Sequence, residues 1–233
     1  MMMELFLVLL LAHLLSDFAF QTSNTCVSKA RKHERSIHQY IHAGIVTGLT
    51  WLMVLDLDFW WCALVIGASH LVIDIWKSYR EDEVKWFILD QTMHLALIEG
   101  VAWLWCLNHE WTLPFAIELQ YIVAAIAAIV CWKPANIFIK LMLKQYSVNM
   151  PEEQDSGFNA GALIGTIERW LILIFVCLQR YEALGLLIAA KSIIRFSEAQ
   201  NKKSEYVLAG TLLSIFIAVL AGMAWLVVHN EYA

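Results

Sequence analysis

Residues 2–21 read MMELFLVLLLAHLLSDFAFQ, and this stretch decides how the chain is read. It is long and apolar enough to cross a bilayer, yet it carries His13 and Asp17 four residues apart. On an α-helix that spacing puts both side chains on one face, a turn apart. Ionisable groups are costly in hydrocarbon, so such a pair at membrane depth is a functional-site hypothesis by default. The pairing recurs in two further apolar segments, as His70 with Asp74 and, in reversed order, as Asp90 with His94.

Composition points the same way. Of 233 residues 60% are hydrophobic, in long blocks, with only three prolines. The fold class expected is all-α, a polytopic transmembrane helical bundle of about eight spans. The net charge of −5 says little, because the division of charge between loops sets orientation. There is no basic face with interleaved aromatics, so no nucleic-acid partner is expected. Five cysteines without a C-x-x-C spacing read as reduced thiols used for packing. The start, Met-Met-Met-Glu, lacks the basic region and cleavage site of a secretory signal, so the first segment reads as a permanent helix.

The expected spans are Met2–Gln21, Tyr40–Leu55, Phe59–Lys77, Trp86–Leu107, Pro114–Val130, Ala160–Leu178, Tyr181–Phe196 and Tyr206–His229. Lys29, Arg31, Lys32 and Arg35 follow the first, Lys77, Arg80 and Lys85 the third, and Lys133, Lys140 and Lys144 the fifth. By the positive-inside rule these loops are cytoplasmic and both termini lie outside the cytoplasm. Residues 132–146 set Ile137, Phe138, Leu141 and Met142 at helical spacing against those last lysines, which suits either a helix lying on the cytoplasmic leaflet or a prolonged fifth span. The chain divides into an N-terminal four-helix block (1–108), a middle part with the fifth span, that amphipathic helix and an acidic loop holding Glu152, Glu153 and Asp155 (109–158), and a C-terminal three-helix block (159–233).

Orientation explains the reversed pair. Spans one and three run inward and span four outward, so all three aspartates lie nearer the cytoplasm, with the histidines a turn deeper. His42 enters near the same level. Four histidines and three carboxylates thus share one layer. Such a layer suits a divalent metal, zinc or manganese, with His13, His42, His70, His94, Asp17, Asp74 and Asp90 as candidate ligands. An aspartate not used as ligand, from Asp17, Asp74 and Asp90, would be the catalytic base. The same residues suit a proton or ion relay, and hydrogen bonds tying helices together are the structural alternative.

Other polar residues lie nearby. Gln21 prolongs the face of Asp17, Gln91 points about 100° away from Asp90 towards a neighbour, and Glu99 lies deeper. Lys77 is placed to meet an aspartate or a phosphate. In the C-terminal block Gly157, Gly161 and Gly165 form a close-packing face continued by Arg169. Glu168 is expected to pair with Lys191 or Arg195. Alternatively, Arg169, Lys191 and Arg195 make a cationic patch for a headgroup. His33, His38, His109 and His229 read as ordinary.

The segments His13-Leu-Leu-Ser-Asp17-Phe-Ala-Phe-Gln21, His42, His70-Leu-Val-Ile-Asp74 with Lys77, and Leu89-Asp90-Gln91-Thr-Met-His94 resemble the bacterial membrane proteins grouped as domain of unknown function 3307. The resemblance covers about the first half. Gly165-Thr-Ile-Glu168-Arg169, Lys191-Ser-Ile-Ile-Arg195-Phe and Glu205-Tyr-Val-Leu-Ala-Gly210-Thr-Leu-Leu-Ser214 are similar to the second half of longer members. It implies a bacterial inner-membrane protein and no particular activity. From the residues themselves, the leading expectation is a metal-dependent hydrolase acting on a lipid-linked or amphipathic, phosphate-bearing substrate in the bilayer. A metal-ion or proton transporter and a structural membrane subunit are the alternatives.

Overall fold

The computed structural model describes residues 1–113, 117–146, 160–196 and 203–232; at 160, 194–196, 203–207 and 232 it describes the backbone alone. Pro114, Gly157 and the expected acidic loop lie outside the described residues. Those residues contain helices and no strand. In order they are α1 (Met2–Leu14), α2 (Ser23–Lys32), α3 (Ile37–Val54), α4 (Trp60–Ser78), α5 (Val84–Cys106), α6 (Leu119–Val130), α7 (Lys133–Gln145), α8 (Ala160–Cys177), α9 (Tyr181–Phe196) and α10 (Lys203–Tyr232). Two compact units result, Met1–Ile126 and Ala127–Ala233.

In the N-terminal unit α1 packs on α3 and α5, and α4 packs on the same two helices. The four therefore close into a ring. Leu5, Val8, Leu9, Val46, Ala63 and Ile66 fill it. Phe59 meets Trp105 edge to face, and Trp111 Nε1 donates to the Val54 carbonyl at 3.1 Å. Gly67 lets α3 and α4 approach, since a Cβ there would lie 1.8 Å from Thr47 Oγ1. α2 packs on α3 and α4 and begins with a reciprocal Thr22–Thr25 capping box. The outer surfaces of α3, α4 and α5 are apolar, with Leu52, Val72 and Leu104 all more than half exposed.

α1 does not end as an α-helix. Leu15–Ala19 continues it as a π-helical turn, and the chain then bends at Phe20. A π turn inserts a residue into the helical repeat and is frequent at functional sites. Gln21 therefore lies past the helix end and does not prolong the face of His13 and Asp17.

Among the described residues four stretches are long and apolar enough to cross a membrane: Met2–Ala19, Leu57–Ser78, Leu119–Gln145 and Leu208–Glu231. Eight such spans are not met. The polar residues of α3 (His38, Gln39, His42) and of α5 (Asp90, Gln91, His94, Glu99) lower their hydropathy, and α9 has only 16 residues. The stretch 119–145 is broken at Cys131–Trp132, and α7 restarts with Pro134 in its first turn, where a missing N–H costs nothing. α7 is thus a separate helix rather than an unbroken prolongation of α6.

The C-terminal unit packs α10 against α8 and α7, and α8 against α9 and α7. Its apolar core joins Ala127, Cys131, Ile172, Leu173, Val176 and Ala218. Gly222 permits the α8–α10 crossing, since a Cβ there would lie 2.6 Å from Val176 Cγ1.

Candidate metal centre

The ring of α1, α3, α4 and α5 brings His13, His42, His70 and His94 together, all 2–5% exposed. The closest contacts run between helices. His42 Nε2 lies 3.0 Å from His70 Nε2 and 3.2 Å from Asp17 Oδ1, and His70 Nε2 lies 3.2 Å from the same oxygen. The other nitrogen of His70, Nδ1, meets His94 Nδ1 at 2.9 Å. Within the three sequence pairs the distances are longer: 3.9 Å for His13–Asp17, 3.9 Å for His70–Asp74 and 3.5 Å for Asp90–His94. The i,i+4 spacing thus puts each pair on the inner face, and the engagement is across the bundle.

Three overlapping groups have ligand atoms within 4.8 Å of one another: Asp17 with His42 and His70; His13 with His70 and His94; Asp74 with Asp90 and His94. The first is the tightest, a triangle with edges of 3.0, 3.2 and 3.2 Å. An ion with ligands at about 2.0–2.2 Å sets neighbouring ligand atoms about 3.3–3.6 Å apart in a tetrahedron and about 2.8–3.1 Å in an octahedron. The 3.0 Å edge lies in the octahedral range and the two 3.2 Å edges between the two ranges, within about 0.1 Å of each, so the triangle is close to coordination spacing. Its chemistry, two imidazoles and a carboxylate, suits zinc, manganese or iron.

Unsatisfied atoms support the fit. His13 Nδ1, His94 Nε2 and Asp90 Oδ1 of the cluster are buried without a hydrogen-bond partner, as are both amide atoms of Gln39 on α3 and Trp105 Nε1 further along α5. Buried polar atoms are nearly always paired, so three unpaired atoms within the cluster are compatible with a further polar species there. Gln91 does bond a neighbouring helix as well as its own: Oε1 is 3.3 Å from His13 Nε2 on α1, and Nε2 donates to Asp90 Oδ2 at 3.1 Å.

Lys29 was not singled out in the sequence. It comes from α2, is 7% exposed, and its ammonium donates to Asp74 Oδ2 at 2.6 Å. No sequence signal separates it from Arg31, Lys32 and Arg35, which are exposed. Gln39 was missed too, although it precedes His42 by three residues and shares its face. Lys77 lies outside the cluster, 4.0 Å from Asp82, and Glu99 is exposed. His33 stacks on Tyr79 and contacts Ser78, His109 stacks on Trp105, and His229 stacks on Trp225.

In the C-terminal unit Arg169 is 1% exposed and does not face an open surface. Its Nε donates to the Cys131 carbonyl at 2.6 Å, and its terminal nitrogens donate to Ser214, Asn136 and Thr166. Each guanidinium nitrogen is engaged in tying α7, α8 and α10 together. Glu168 accepts from Lys191, at a groove lined also by Ile172, Leu187, Ile188 and Leu212. The side chain of Arg195 lies outside the described residues.

No curated protein and no solved structure matches the chain. The model of the family described as Protein of unknown function (DUF3307) matches residues 5–136, a stretch holding every histidine and aspartate of the cluster, and the chain belongs to that family.

Proposed function

We propose that this is a multi-pass inner-membrane protein whose N-terminal unit binds one divalent metal ion and uses it to hydrolyse an amphipathic, phosphate-bearing substrate. The observation that carries this reading is the Asp17–His42–His70 triangle, three ligand atoms from three helices at coordination spacing. Those residues hold zinc or manganese. His94, through its Nδ1 contact, fixes the ring orientation of His70, as the outer partner of a ligating histidine does. Asp90, with one oxygen held by Gln91 and the other 3.5 Å from His94 Nε2, is the residue we assign as proton acceptor. An ion in such a site supplies Lewis acidity and an acidified water. Lys77, partly buried at the end of α4, is the cation we assign to an anionic headgroup.

The membrane reading rests on the inside-out distribution of the first unit, with polar groups inward and Leu52, Val72 and Leu104 outward. Both termini then face away from the cytoplasm, and exposed Cys26 on α2 faces it. A membrane-impermeant maleimide should label Cys26 in inverted vesicles and not in intact spheroplasts, with a Cys26→Ser chain as control. Labelling of spheroplasts sinks the orientation.

The metal reading is tested by elemental analysis of detergent-purified protein prepared without chelators and after reconstitution. Stoichiometric zinc or manganese is expected, and its absence in both preparations removes the hydrolase mechanism. A second reading has its own support: His42, His70 and His94 form an unbroken series of ring-nitrogen contacts at 3.0 and 2.9 Å, the connectivity of a proton relay. Proteoliposomes separate the two. Turnover of a phospholipid or lipid-linked phosphate favours the hydrolase, and proton or metal flux without turnover favours the relay.

A further inference from the structure

Lys29 is the buried member of a run of otherwise exposed basic residues, and its partner is a carboxylate of the second candidate group, Asp74 with Asp90 and His94. We propose that Lys29 is a built-in second cation: its ammonium occupies Asp74 so that the centre takes a single divalent ion, on Asp17, His42 and His70. This rests on the metal reading above and adds the stoichiometry and the residue that sets it.

Geometry gives the first argument. Asp74 Oδ2 sits 2.6 Å from Lys29 Nζ, the separation of a charge-assisted hydrogen bond, so a metal ion on that carboxylate would have to share it with an ammonium. The rest of the Asp74 group is otherwise equipped to bind. His94 Nε2 lies 3.7 Å from Asp74 Oδ1 and 3.5 Å from Asp90 Oδ1, and both His94 Nε2 and Asp90 Oδ1 lack a hydrogen-bond partner. Donor atoms are present there, and Lys29 is what holds the group closed.

Charge gives the second. Ligating histidines are neutral, so Asp17, Asp74 and Asp90 against Lys29 leave two negative charges in a buried cluster. One divalent ion neutralises them. A second would leave two positive charges away from water, at a large desolvation cost. Without the ammonium the cluster carries three negative charges, so a second ion leaves one positive charge instead of two and its desolvation cost falls.

The test counts ions on the full chain. Detergent-purified protein is loaded with excess zinc, or separately manganese, freed of unbound metal by gel filtration, and measured for metal against protein. One ion per chain is expected for the wild type and for Lys29→Arg, which keeps the cation. Two are expected for Lys29→Gln, and one again for Lys29→Gln combined with Asp74→Asn. Lys29→Met, which keeps the packing of the stem, runs in parallel so that misfolding of one variant leaves the other to decide. Two ions on the wild type, or one on folded Lys29→Gln or Lys29→Met, overturn the assignment of Lys29 while leaving the metal centre standing. No ion on any chain overturns the metal reading itself.

Discussion

Arg169 in the C-terminal unit and the four histidines of the N-terminal unit are buried to much the same degree, 1% against 2–5% exposure, and both sit where helices cross. Their surroundings differ in kind. Around Arg169 every nitrogen of the guanidinium finds an oxygen, and Asn136 closes the set by donating to Thr166 at 3.0 Å. Around the histidines the atoms crowd at 3 Å while His13 Nδ1, His94 Nε2 and Asp90 Oδ1 lack a hydrogen-bond partner. A fully satisfied polar network rigidifies a core, whereas a partly satisfied one is costly unless another species completes it. Burial of polar groups alone does not mark function in this chain. What separates the two sites is the accounting of their hydrogen bonds.

The comparison breaks most easily at Arg169. If its role is to tie α7, α8 and α10, Arg169→Ala leaves the Cys131 carbonyl, Asn136 and Ser214 without their donor and should cost about 3–5 kcal/mol of stability in mixed micelles. Metal bound per folded chain should not change. A drop in metal content at unchanged stability would reverse the roles assigned to the two units. His70→Ala is the mirror experiment. It removes an atom shared by two contacts of the triangle and should weaken metal binding by at least about 100-fold. The metal-free variant should fall below metal-free wild type by only about 1–3 kcal/mol, the cost of leaving the partners of one buried imidazole unpaired. A large loss of stability without metal would make the cluster structural.

The paired glycines sharpen the contrast at smaller scale. Gly67→Ala drives a methyl into Thr47, with the Ala43 carbonyl 3.2 Å away to limit escape, and so pushes α3 from α4 three residues before His70. Gly222→Ala does the same to α8 and α10 through Val176. Each should cost about 1–3 kcal/mol by overpacking. Only Gly67→Ala should also weaken metal binding, since it separates His42 from His70. Equal metal affinity in both variants would show that the triangle does not depend on the α3–α4 distance.

What was legible in the sequence follows from the same distinction. The helices of the first unit could be read because apolar runs end at charged loops, and the convergence of His13, His70 and His94 could be read because chain direction and pair order agree. His42 had no partner in its own helix, yet position alone placed it. The π turn at Leu15–Ala19 could not be read: a one-residue insertion in a helix leaves no mark in composition and is held by what α1 packs against. Lys29 was invisible for a different reason, as one lysine among four basic residues whose burial depends on where α2 docks. The break at Cys131–Trp132 did carry a signal, Pro134, which favours the first turn of a new helix. Arg169 was read on a close-packing face, with a cationic patch as the alternative, and a sequence does not show the Cys131 carbonyl, Asn136 and Ser214 that engage its guanidinium.

The smallest effect concerns a contact that belongs to neither network. Tyr79, just past α4, donates to the exposed Glu34 carboxylate in the turn between α2 and α3. That hydrogen bond holds the Glu34 carboxyl below its ordinary value, and it holds the Tyr79 phenol above its own. The depressed carboxyl favours the folded state while Glu34 is ionised, so its contribution is present above the ordinary carboxylate range and lost as pH falls through the folded-state value. The raised phenol contributes below its ordinary value and loses that contribution as pH rises through the folded-state one. Tyr79→Phe keeps the ring that stacks on His33 at 4.1 Å and removes only the donor. Its stability deficit at ~pH 6 should be small, as for exposed pairs generally, and should shrink towards zero by ~pH 3. A deficit that stays constant over that interval would assign the effect of Tyr79 to packing. One large enough to alter metal content would mean that α2, and Lys29 with it, is held over the centre by this surface contact rather than by the Lys29–Asp74 bond.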